Sequence, residues 1–413
     1  MKSVITCDTE GRIETFGKDA EVVFGWKADE VIGKKRVSLF SPGETVLEHV
    51  SAWLSNAVKN GAHETDSVFV RKDGSEFPAH IRISPTFKDG AQIGYCGVTE
   101  PLPMSELENA RPRISFATKA FRWLVVTRAP FLTASLVPVL VGAALAPTFG
   151  ALPFVLALVG GLALHVAANT WNDLFDWRSG ADQANNDYFM PFSGGSRAIE
   201  LGLITERGLA TIAWCALLVA TLCGALLTAL VTPWVLAYGV VGAFAAYFYT
   251  APPLRLVARH GLGELFIGAC FGPLMTGGTY TALTGAFSST SLWVGVPVGL
   301  LTTAILWVNE IPDAKSDASV GKNHLVVTIG KDAARWGYLA LMLGAYGSLA
   351  ALVATKLVTP WALAAFIALP FTVRAVVVLW KHVHDRALVG ANKMTIYQHV
   401  VFGLVLAAAL AWA

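Results

Sequence analysis

Two short stretches of the chain gather amide and carboxylate side chains at matching positions. The first reads NDLFD from Asn172 to Asp176, and the second reads NEIPD from Asn309 to Asp313. Residues three or four positions apart lie on one face of a helix, so each stretch presents polar side chains together. Carboxylate and amide oxygens are ligands of hard divalent cations, and Mg²⁺ completes its shell with water and substrate phosphates. Two such clusters that face each other would hold a diphosphate through metal ions.

The neighbouring residues extend both clusters and add positive charge. Asn169 and Asp173 share the face of the first stretch, and Asp317 lies one helical turn beyond Asp313. Five basic residues are candidates for contacts with phosphate oxygens: Arg128, Arg178, Arg197, Arg255 and Lys322. One cluster alone would fit solvated charges near lipid headgroups equally well, whereas two matched clusters favour a diphosphate site.

The elements that must position these residues are apolar enough to lie in a membrane. Hydrophobic residues make up 54% of the 413-residue chain, and from residue 261 to 308 only Glu264 carries a charge. Since about 20 apolar residues cross a bilayer, each long run must hold more than one span. We predict an all-α bundle of nine transmembrane helices, preceded by a small α+β domain. The spans are predicted at residues 128–147, 151–171, 208–230, 233–250, 262–283, 290–308, 337–355, 360–380 and 394–412.

The distribution of basic residues orients this bundle. With the amino terminus in the cytoplasm, the inward-facing loops hold twelve Lys and Arg residues and the opposite loops hold only Lys356. Cytoplasmic loops carry an excess of Lys and Arg, so both acidic stretches and the N-terminal domain are expected on the cytoplasmic side of the cell (inner) membrane. The net charge of +2 gives no support to a nucleic-acid partner. The five cysteines form no CxxC pair and are expected to be reduced.

Residues 1–105 are predicted to form a soluble domain of short strands and helices. SVITCDTEGRIETFG predicts a hairpin, and two KDG sequences predict turns between three later strands. On DTEGRI, FGWKADEVIG and RKDGSEFP…GYCGVTE, this region resembles a PAS domain. The resemblance implies a regulatory input, an unidentified ligand and a homodimer through this domain. His49 could ligate haem, but a surface or packing role is the simpler interpretation.

Residues 106–123 connect this domain to the bundle at 124–413. The sequence ENARPRISFATKAFRW combines basic residues with Phe116, Phe121 and Trp123. This composition fits an amphipathic helix at the membrane interface. A linker whose basic side chains reach towards the headgroups fits it equally well.

Residues 120–413 resemble the UbiA superfamily of intramembrane aromatic prenyltransferases. The resemblance rests on NDLFDWRSGAD, NEIPDAKSDASVGKN and the intervening YTAPPLRLVARHGLGELFIGACFGPLMTGGTY. Within the superfamily, TRAPFLTASLVPVLVGAALA, GGSRAIELGLIT and GKNHLVVTIG are most similar to the 1,4-dihydroxy-2-naphthoate branch, which makes menaquinone. The loop NNDYFMPFSGGSR argues against the 4-hydroxybenzoate and chlorophyll-synthase branches without excluding them.

The resemblance assigns roles to individual positions. It implies that the metal and diphosphate site consists of seven residues: Asn172, Asp173, Asp176, Asp182, Asn309, Asp313 and Asp317. Arg128, Arg197 and Lys322 would contact phosphate. Tyr249 matches a position near the reacting allylic carbon, although a tyrosine of the interfacial belt fits as well. His165 either touches the aromatic substrate or packs in the core.

The reaction that the resemblance implies is Mg²⁺-dependent transfer of a polyprenyl group from its diphosphate to an aromatic ring. Three other interpretations compete with it. A soluble-type isoprenyl diphosphate synthase would not need nine spans, and a transporter would place its acids at mid-membrane rather than at helix ends on one side. A membrane sensor that binds prenyl lipid or quinone without turnover would not need both acidic stretches intact.

Overall fold

The computed structural model of the protein describes residues 2–185 and 193–412. Its chain divides into two compact units. The first comprises residues 1–126 and, from later in the chain, Arg197–Thr205. The second comprises Thr127–Ser196 and Glu206–Ala413.

The first unit is built on a five-stranded antiparallel sheet in the order β2-β1-β5-β4-β3. The strands are β1 (Ser3–Asp8), β2 (Ile13–Phe16), β3 (His63–Val70), β4 (Glu76–Lys88) and β5 (Ala91–Pro101). The predicted hairpin and both KDG turns are present. Gly74 and Gly90 adopt φ of 83° and 79°, a conformation in which glycine meets no steric penalty. Alternating apolar residues then place one face of the sheet in the core.

Helices between β2 and β3 cover that face. They are α1 (Lys18–Phe24) and α2 (Ser51–Asn60), with shorter helical turns between them. Five phenylalanines form the centre of the core: Phe16, Phe24, Phe40, Phe69 and Phe77. The rings of Phe24 and Phe40 lie 4.3 Å apart. His49 donates from Nε2 to the carbonyl oxygen of Arg113 at 3.0 Å and stacks on Trp53, which matches a packing role.

Beyond the sheet, α3 (Phe116–Val126) forms the helix predicted within the connecting segment. Phe116, Phe121 and Trp123 are exposed on it, at 86%, 50% and 46% of their full accessible surface. The helix therefore exposes apolar side chains, as a helix at a membrane interface would. Its placement at the membrane interface stays a prediction.

The second unit is almost entirely helical. Its shorter helices are α4 (Thr133–Ala144), α7 (Val235–Phe248), α8 (Leu262–Ala269), α9 (Met275–Thr284) and α11 (Leu325–Ile329). In the described part of the chain, six helices are long and apolar enough to cross a membrane. They are α5 (Ala151–Ser179), α6 (Glu206–Leu230), α10 (Ser289–Ser319), α12 (Lys331–Ala354), α13 (Pro360–His382) and α14 (Arg386–Ala411).

The prediction of nine spans is confirmed for these six. The first predicted span corresponds to the helical segment Ala129–Ala144, and Arg128, with a left-handed backbone at φ of 53°, separates that segment from α3. A seventh span is counted if Phe116–Val126 and Ala129–Ala144 are taken as one broken span. The fourth predicted span is the 14-residue α7, and the fifth is divided into α8 and α9 by a π-helical turn at Cys270–Leu274 that contains Pro273. Proline removes a backbone donor, which accounts for the irregular turn.

Glycines bring the divided helix into close contact with α10. Gly268 and Gly272 face Gly295 and Gly299, four residues apart on each side. A methyl group added at Gly295 would lie 2.6 Å from the backbone of Gly272, and one at Gly299 would collide with the carbonyl oxygen of Gly268. Small residues at this spacing let helix backbones approach within a membrane. The contact fixes α10, which carries the second acidic stretch.

Candidate active site

A cavity of about 480 Å³ lies within the second unit, and both acidic stretches line it. α5 brings Asn172 and Asp176 to its polar end, and α10 brings Asn309, Asp313 and Asp317. The remaining wall is largely apolar and comes from α5, α6, α7, the α8–α9 segment and α10. The structure therefore places the two predicted clusters around one cavity.

Lys322 joins the two stretches. Its Nζ lies 3.0 Å from Asp176 Oδ2 and 3.8 Å from Asp317 Oδ2. Although burial lowers the pKa of this ammonium group, the carboxylates of Asp176 and Asp317 raise it well above its usual range. The lysine therefore stays charged at neutral pH and offsets part of the negative charge of the site.

Main-chain and amide donors hold Asp313. The Nδ2 of Asn185 donates to Oδ1 at 2.7 Å, and the backbone N–H of Gly194 donates to Oδ2 at 2.9 Å. Gly195, the next residue, adopts φ of 73°, and a methyl group there would lie 2.9 Å from Asp173 Oδ1. Only glycine lets the backbone approach the carboxylates this closely.

Arg128 contacts the first stretch from outside its helix. Its Nη1 donates to Asn172 Oδ1 at 3.0 Å and lies 3.5 Å from Asp173 Oδ1. The backbone N–H of Ser196 also donates to Asp173 Oδ1, at 3.3 Å. Asp173 is 4% exposed and does not line the cavity. It therefore positions Arg128 and the loop in this arrangement, while Asp182 lines the cavity beside Asn185.

The polar end of the cavity passes into aromatic and apolar walls. His165 accepts or donates at Nδ1 with Ser135 Oγ at 2.8 Å, and its ring lies edge-on to Phe271 at 4.6 Å. Tyr249, next to the end of α7, lines the cavity, and its buried hydroxyl makes no hydrogen bond in the described structure. Both side chains face the cavity, as a substrate contact requires.

Three predicted phosphate contacts do not line the cavity. Arg178 is half exposed and pairs with Glu206 at 2.7 Å. Arg255 precedes a short helical turn with φ of 43° and is also absent from the cavity wall. Arg197 belongs to the first unit, where its fully buried side chain pairs with Glu200 at 2.9 Å. Intramolecular carboxylates pair with two of these arginines, Arg178 and Arg197.

Several residues near the site were not foreseen from the sequence. Asn392 of α14 donates to Asn309 Oδ1 at 2.6 Å and orients it. Gly194 and Ser196 contribute only backbone N–H groups, for which no side-chain signal exists. A buried group of Glu264, Glu310 and His324 also lies in this unit. Glu264 was the one signal available, because it alone interrupts a long apolar run.

The donor set fits divalent cations. Carboxylates from two helices reach one cavity with amide oxygens beside them. Such oxygens are the preferred ligands of Mg²⁺, which leaves coordination positions for substrate phosphate. The apolar wall suits a hydrocarbon chain. The fold and the site thus define a multi-pass membrane protein with a cavity suited to a lipid diphosphate.

Comparison with known sequences identifies the family. The sequence profile of the UbiA prenyltransferase family matches residues 135–391, and that of a PAS domain matches residues 2–100. The first match covers more than half of the chain. The chain therefore belongs to the UbiA prenyltransferase family and is a transferase with an N-terminal PAS domain, as its motifs predicted.

Relatives and solved structures agree with this assignment. The chain is 29% identical over 288 residues to the 1,4-dihydroxy-2-naphthoate octaprenyltransferase of Bacillus subtilis (strain 168), covering 69% of this chain and 90% of that protein. It is 28% identical to the enzyme of the same name from Mycobacterium tuberculosis (strain ATCC 25618 / H37Rv), covering 70% and 97%. A UbiA homolog from Archaeoglobus fulgidus, solved with GPP and Mg²⁺, superposes with a TM-score of 0.55 at 16% identity, covering 71% of this chain and all of that one. At this identity the structural likeness shows the fold.

Proposed function

We propose that the protein transfers a polyprenyl group from its diphosphate to 1,4-dihydroxy-2-naphthoate, a step of menaquinone biosynthesis. The observation that carries the proposal is the pairing of two carboxylate clusters across one end of an otherwise apolar cavity. A long prenyl chain needs the apolar wall, and its diphosphate needs the polar end. The names of the relatives from Bacillus and Mycobacterium support the naphthoate as acceptor.

The metal-holding residues under this proposal are Asn172, Asp176, Asp182, Asn309, Asp313 and Asp317. Mg²⁺ bound there would neutralise the diphosphate leaving group and favour its departure. Arg128 and Lys322 would bind phosphate oxygens that the metal leaves open. Asn185 and Gly194 orient Asp313, and Asn392 orients Asn309, through the hydrogen bonds described above.

The apolar end of the cavity protects the allylic cation that remains when the diphosphate leaves. The face of Tyr249 could stabilise the positive charge. Walls of α5, α7 and the α8–α9 segment exclude the water that would quench it. His165, whose ring faces the cavity, would contact the acceptor. The electron-rich ring carbon of the acceptor then forms the new bond, and the ring carboxylate leaves as CO₂.

Prenyl transfer by the purified full-length protein tests the proposal. The assay supplies Mg²⁺, a polyprenyl diphosphate and either 1,4-dihydroxy-2-naphthoate or 4-hydroxybenzoate. Naphthoate product is expected, and Asp176→Ala or Asp313→Ala should lower its rate by about 100-fold or more, since a lost metal ligand removes several kcal/mol of charge stabilisation. Product with the benzoate alone would assign another acceptor. Bound prenyl lipid with no product would favour the membrane-sensor alternative.

The membrane topology extends this proposal. The segment at residues 128–147, α7 and the divided segment 262–283 would complete nine spans around the cavity. Domain boundaries at 105 and 124 and a cytoplasmic N-terminal domain follow from the sequence and the charge asymmetry of the loops. Accessibility of introduced cysteines near Arg178 and Lys356 to a membrane-impermeant reagent would test the orientation.

We further propose that the PAS domain regulates the transferase. Residues Arg197–Thr205 follow the loop of the first acidic stretch but belong to the compact unit of the PAS domain. Leu201 and Leu203 are buried there. A methyl group added at Gly43 of the PAS domain would collide with the carbonyl oxygen of Leu201 and lie 2.6 Å from Leu203 Cδ2. Lys35 also lies 3.5 Å from Glu200.

The chain thus leads directly from a PAS-bound segment to the carboxylates of the site. Gly194 and Ser196, which donate to Asp313 and Asp173, lie just before Arg197. A ligand-induced change in the PAS domain that pulls on 197–205 would strain these two hydrogen bonds. The identity of the PAS ligand and dimerisation through the domain stay predictions.

A further inference from the structure

We propose that Glu264, Glu310 and His324 form a second metal site that binds a transition-type dication such as Zn²⁺, directly beside the diphosphate site. One donor atom from each residue lies within 4.8 Å of the others. The three come from the first turn of α8, from α10 and from the residue that precedes α11. Among the described residues this is the group of acids and imidazole that meets a metal-site geometry.

The two carboxylates of this group are buried, and most of their oxygens lack a hydrogen-bond partner. Glu264 is 5% exposed, Glu310 is 6% exposed and His324 is fully buried. Oε2 of Glu264 and both oxygens of Glu310 make no hydrogen bond in the described structure. The other Glu264 oxygen accepts from the backbone N–H of Leu325 at 2.6 Å. Buried ionised groups are unstable unless they are paired or coordinate a metal, so three buried oxygens without hydrogen-bond partners point to cation binding.

The ammonium group of Lys322 does not neutralise these two glutamates. Lys322 contacts Asp176 and Asp317 at 3.0 and 3.8 Å. Two ionised glutamates and a neutral imidazole carry two negative charges, which one dication balances. Protonation of both glutamates is the alternative state that an experiment must separate from metal binding.

The hydrogen bonds of His324 prepare it for coordination. Its Nε2 lies 3.1 Å from Asp317 Oδ2, and its Nδ1 accepts from the backbone N–H of Val327 at 3.3 Å. This network assigns the proton to Nε2 and the lone pair to Nδ1, so an ion bound at Nδ1 would take the place of the Val327 N–H. Nδ1 lies 3.6 Å from Glu310 Oε2. An imidazole that donates to a carboxylate and turns its other nitrogen to the ion is the usual arrangement of a metal-bound histidine.

The donor types favour Zn²⁺ over Mg²⁺. Zn²⁺ binds imidazole nitrogen and carboxylate oxygen in four-coordinate sites, whereas Mg²⁺ takes oxygen ligands in octahedral sites. Ligands about 2.1 Å from Zn²⁺ lie about 3.4 Å apart in a tetrahedron, so the side chains need to move by less than about 1 Å each. Bound there, the ion would fix the 320–324 loop and with it Lys322.

Metal retention tests this proposal without any use of enzyme activity. The full-length protein in detergent is stripped with a chelator, loaded with Zn²⁺ in excess Mg²⁺, desalted, and measured for Zn²⁺ by mass spectrometry. One Zn²⁺ per chain is expected in the wild type and in Asp176→Asn, and almost none in Glu264→Gln or Glu310→Gln. These isosteric substitutions keep the side-chain volume.

Thermal unfolding shows whether a variant loses Zn²⁺ only because it has failed to fold. Each variant must unfold cooperatively without metal, and Zn²⁺ should raise the unfolding midpoint of the wild type and Asp176→Asn but not of the two glutamine variants. The proposal is overturned if the wild type retains no Zn²⁺, or if the glutamine variants retain as much. It is equally overturned if Asp176→Asn loses the ion, because Zn²⁺ would then occupy the diphosphate site.

Discussion

Lys322 supplies the positive charge that connects the two acidic stretches. Its pKa is raised well above the usual range because, in spite of burial, Asp176 and Asp317 stabilise the ammonium form. We expect Lys322→Gln to raise the KM for the prenyl diphosphate by about 10- to 100-fold, since a buried charge-assisted contact is lost. Steady-state kinetics over pH 6.5–8.5 should show the same defect throughout, because the lysine is charged over that whole range.

Lys315 offers the matched control. It lies on α10, two residues beyond Asp313, and is exposed. Lys315→Gln removes the same charge from the surface and should leave the KM within about twofold, as a screened surface charge contributes little. Equal effects of the two substitutions would argue against a phosphate role for Lys322.

The buried thiol of Cys7 is expected to react slowly, which argues against it as a redox sensor. Burial, with a smaller contribution from Asp8, raises the pKa of the Cys7 thiol to about 12. The thiolate is the reactive form, so its fraction at pH 8 falls by on the order of 1,000-fold relative to an ordinary thiol. We expect iodoacetamide to label half-exposed Cys96 much faster than Cys7 in the folded protein, measured by peptide mass spectrometry. Comparable rates before and after denaturation would contradict this and admit Cys7 as a redox sensor.

At the scale of elements, the glycine contact between the α8–α9 segment and α10 sets the position of the second acidic stretch. A methyl group at Gly299 would collide with Gly268 and lie 3.1 Å from Gly272. We expect Gly299→Ala to destabilise the protein by about 1–3 kcal/mol, the usual cost of overpacking. Thermal unfolding in detergent measures it. Gly347→Ala on α12, where the added methyl meets open space, is the control and should unfold no earlier than the wild type.

Periodicity and composition predicted most elements, because long apolar runs and KDG turns are local signals. They did not predict the left-handed Arg128 or the π-helical turn at Pro273, which depend on tertiary packing. In the site, the acidic stretches came from sequence spacing. The roles of the backbone N–H groups of Gly194 and Ser196 could not be predicted, because nearly every residue carries such a group. The charge of Arg197 is visible in the sequence, whereas its pairing with Glu200 is not.

At the scale of the whole molecule, the fusion of a PAS domain to a transferase raises the question of communication. The PAS unit holds Arg197–Thr205, and the residues just before it donate to Asp313 and Asp173. The backbone therefore joins the segment in the PAS unit directly to the residues that donate to the two carboxylates. A substitution that disturbs the packing of this segment inside the PAS unit should therefore weaken metal and diphosphate binding. The residues of the site itself would stay unchanged.

Gly43→Ala is a substitution that disturbs this packing. The added methyl collides with Leu201 and must displace the segment. We expect the Mg²⁺ concentration for half-maximal activity to rise several-fold, because orienting contacts to metal ligands are typically worth 10- to 100-fold when lost completely. Gly17→Ala, in the same domain with open space around the added methyl, should match the wild type.

Lys35→Met provides a milder perturbation that keeps the fold, since it removes only the ion pair with Glu200. A smaller shift in the same direction is expected, with an unchanged unfolding midpoint of the PAS domain. Wild-type Mg²⁺ dependence in both Gly43→Ala and Lys35→Met would mean that the segment does not transmit to the carboxylates. Regulation by the PAS domain would then require another path, while prenyl transfer itself would be unaffected by that result.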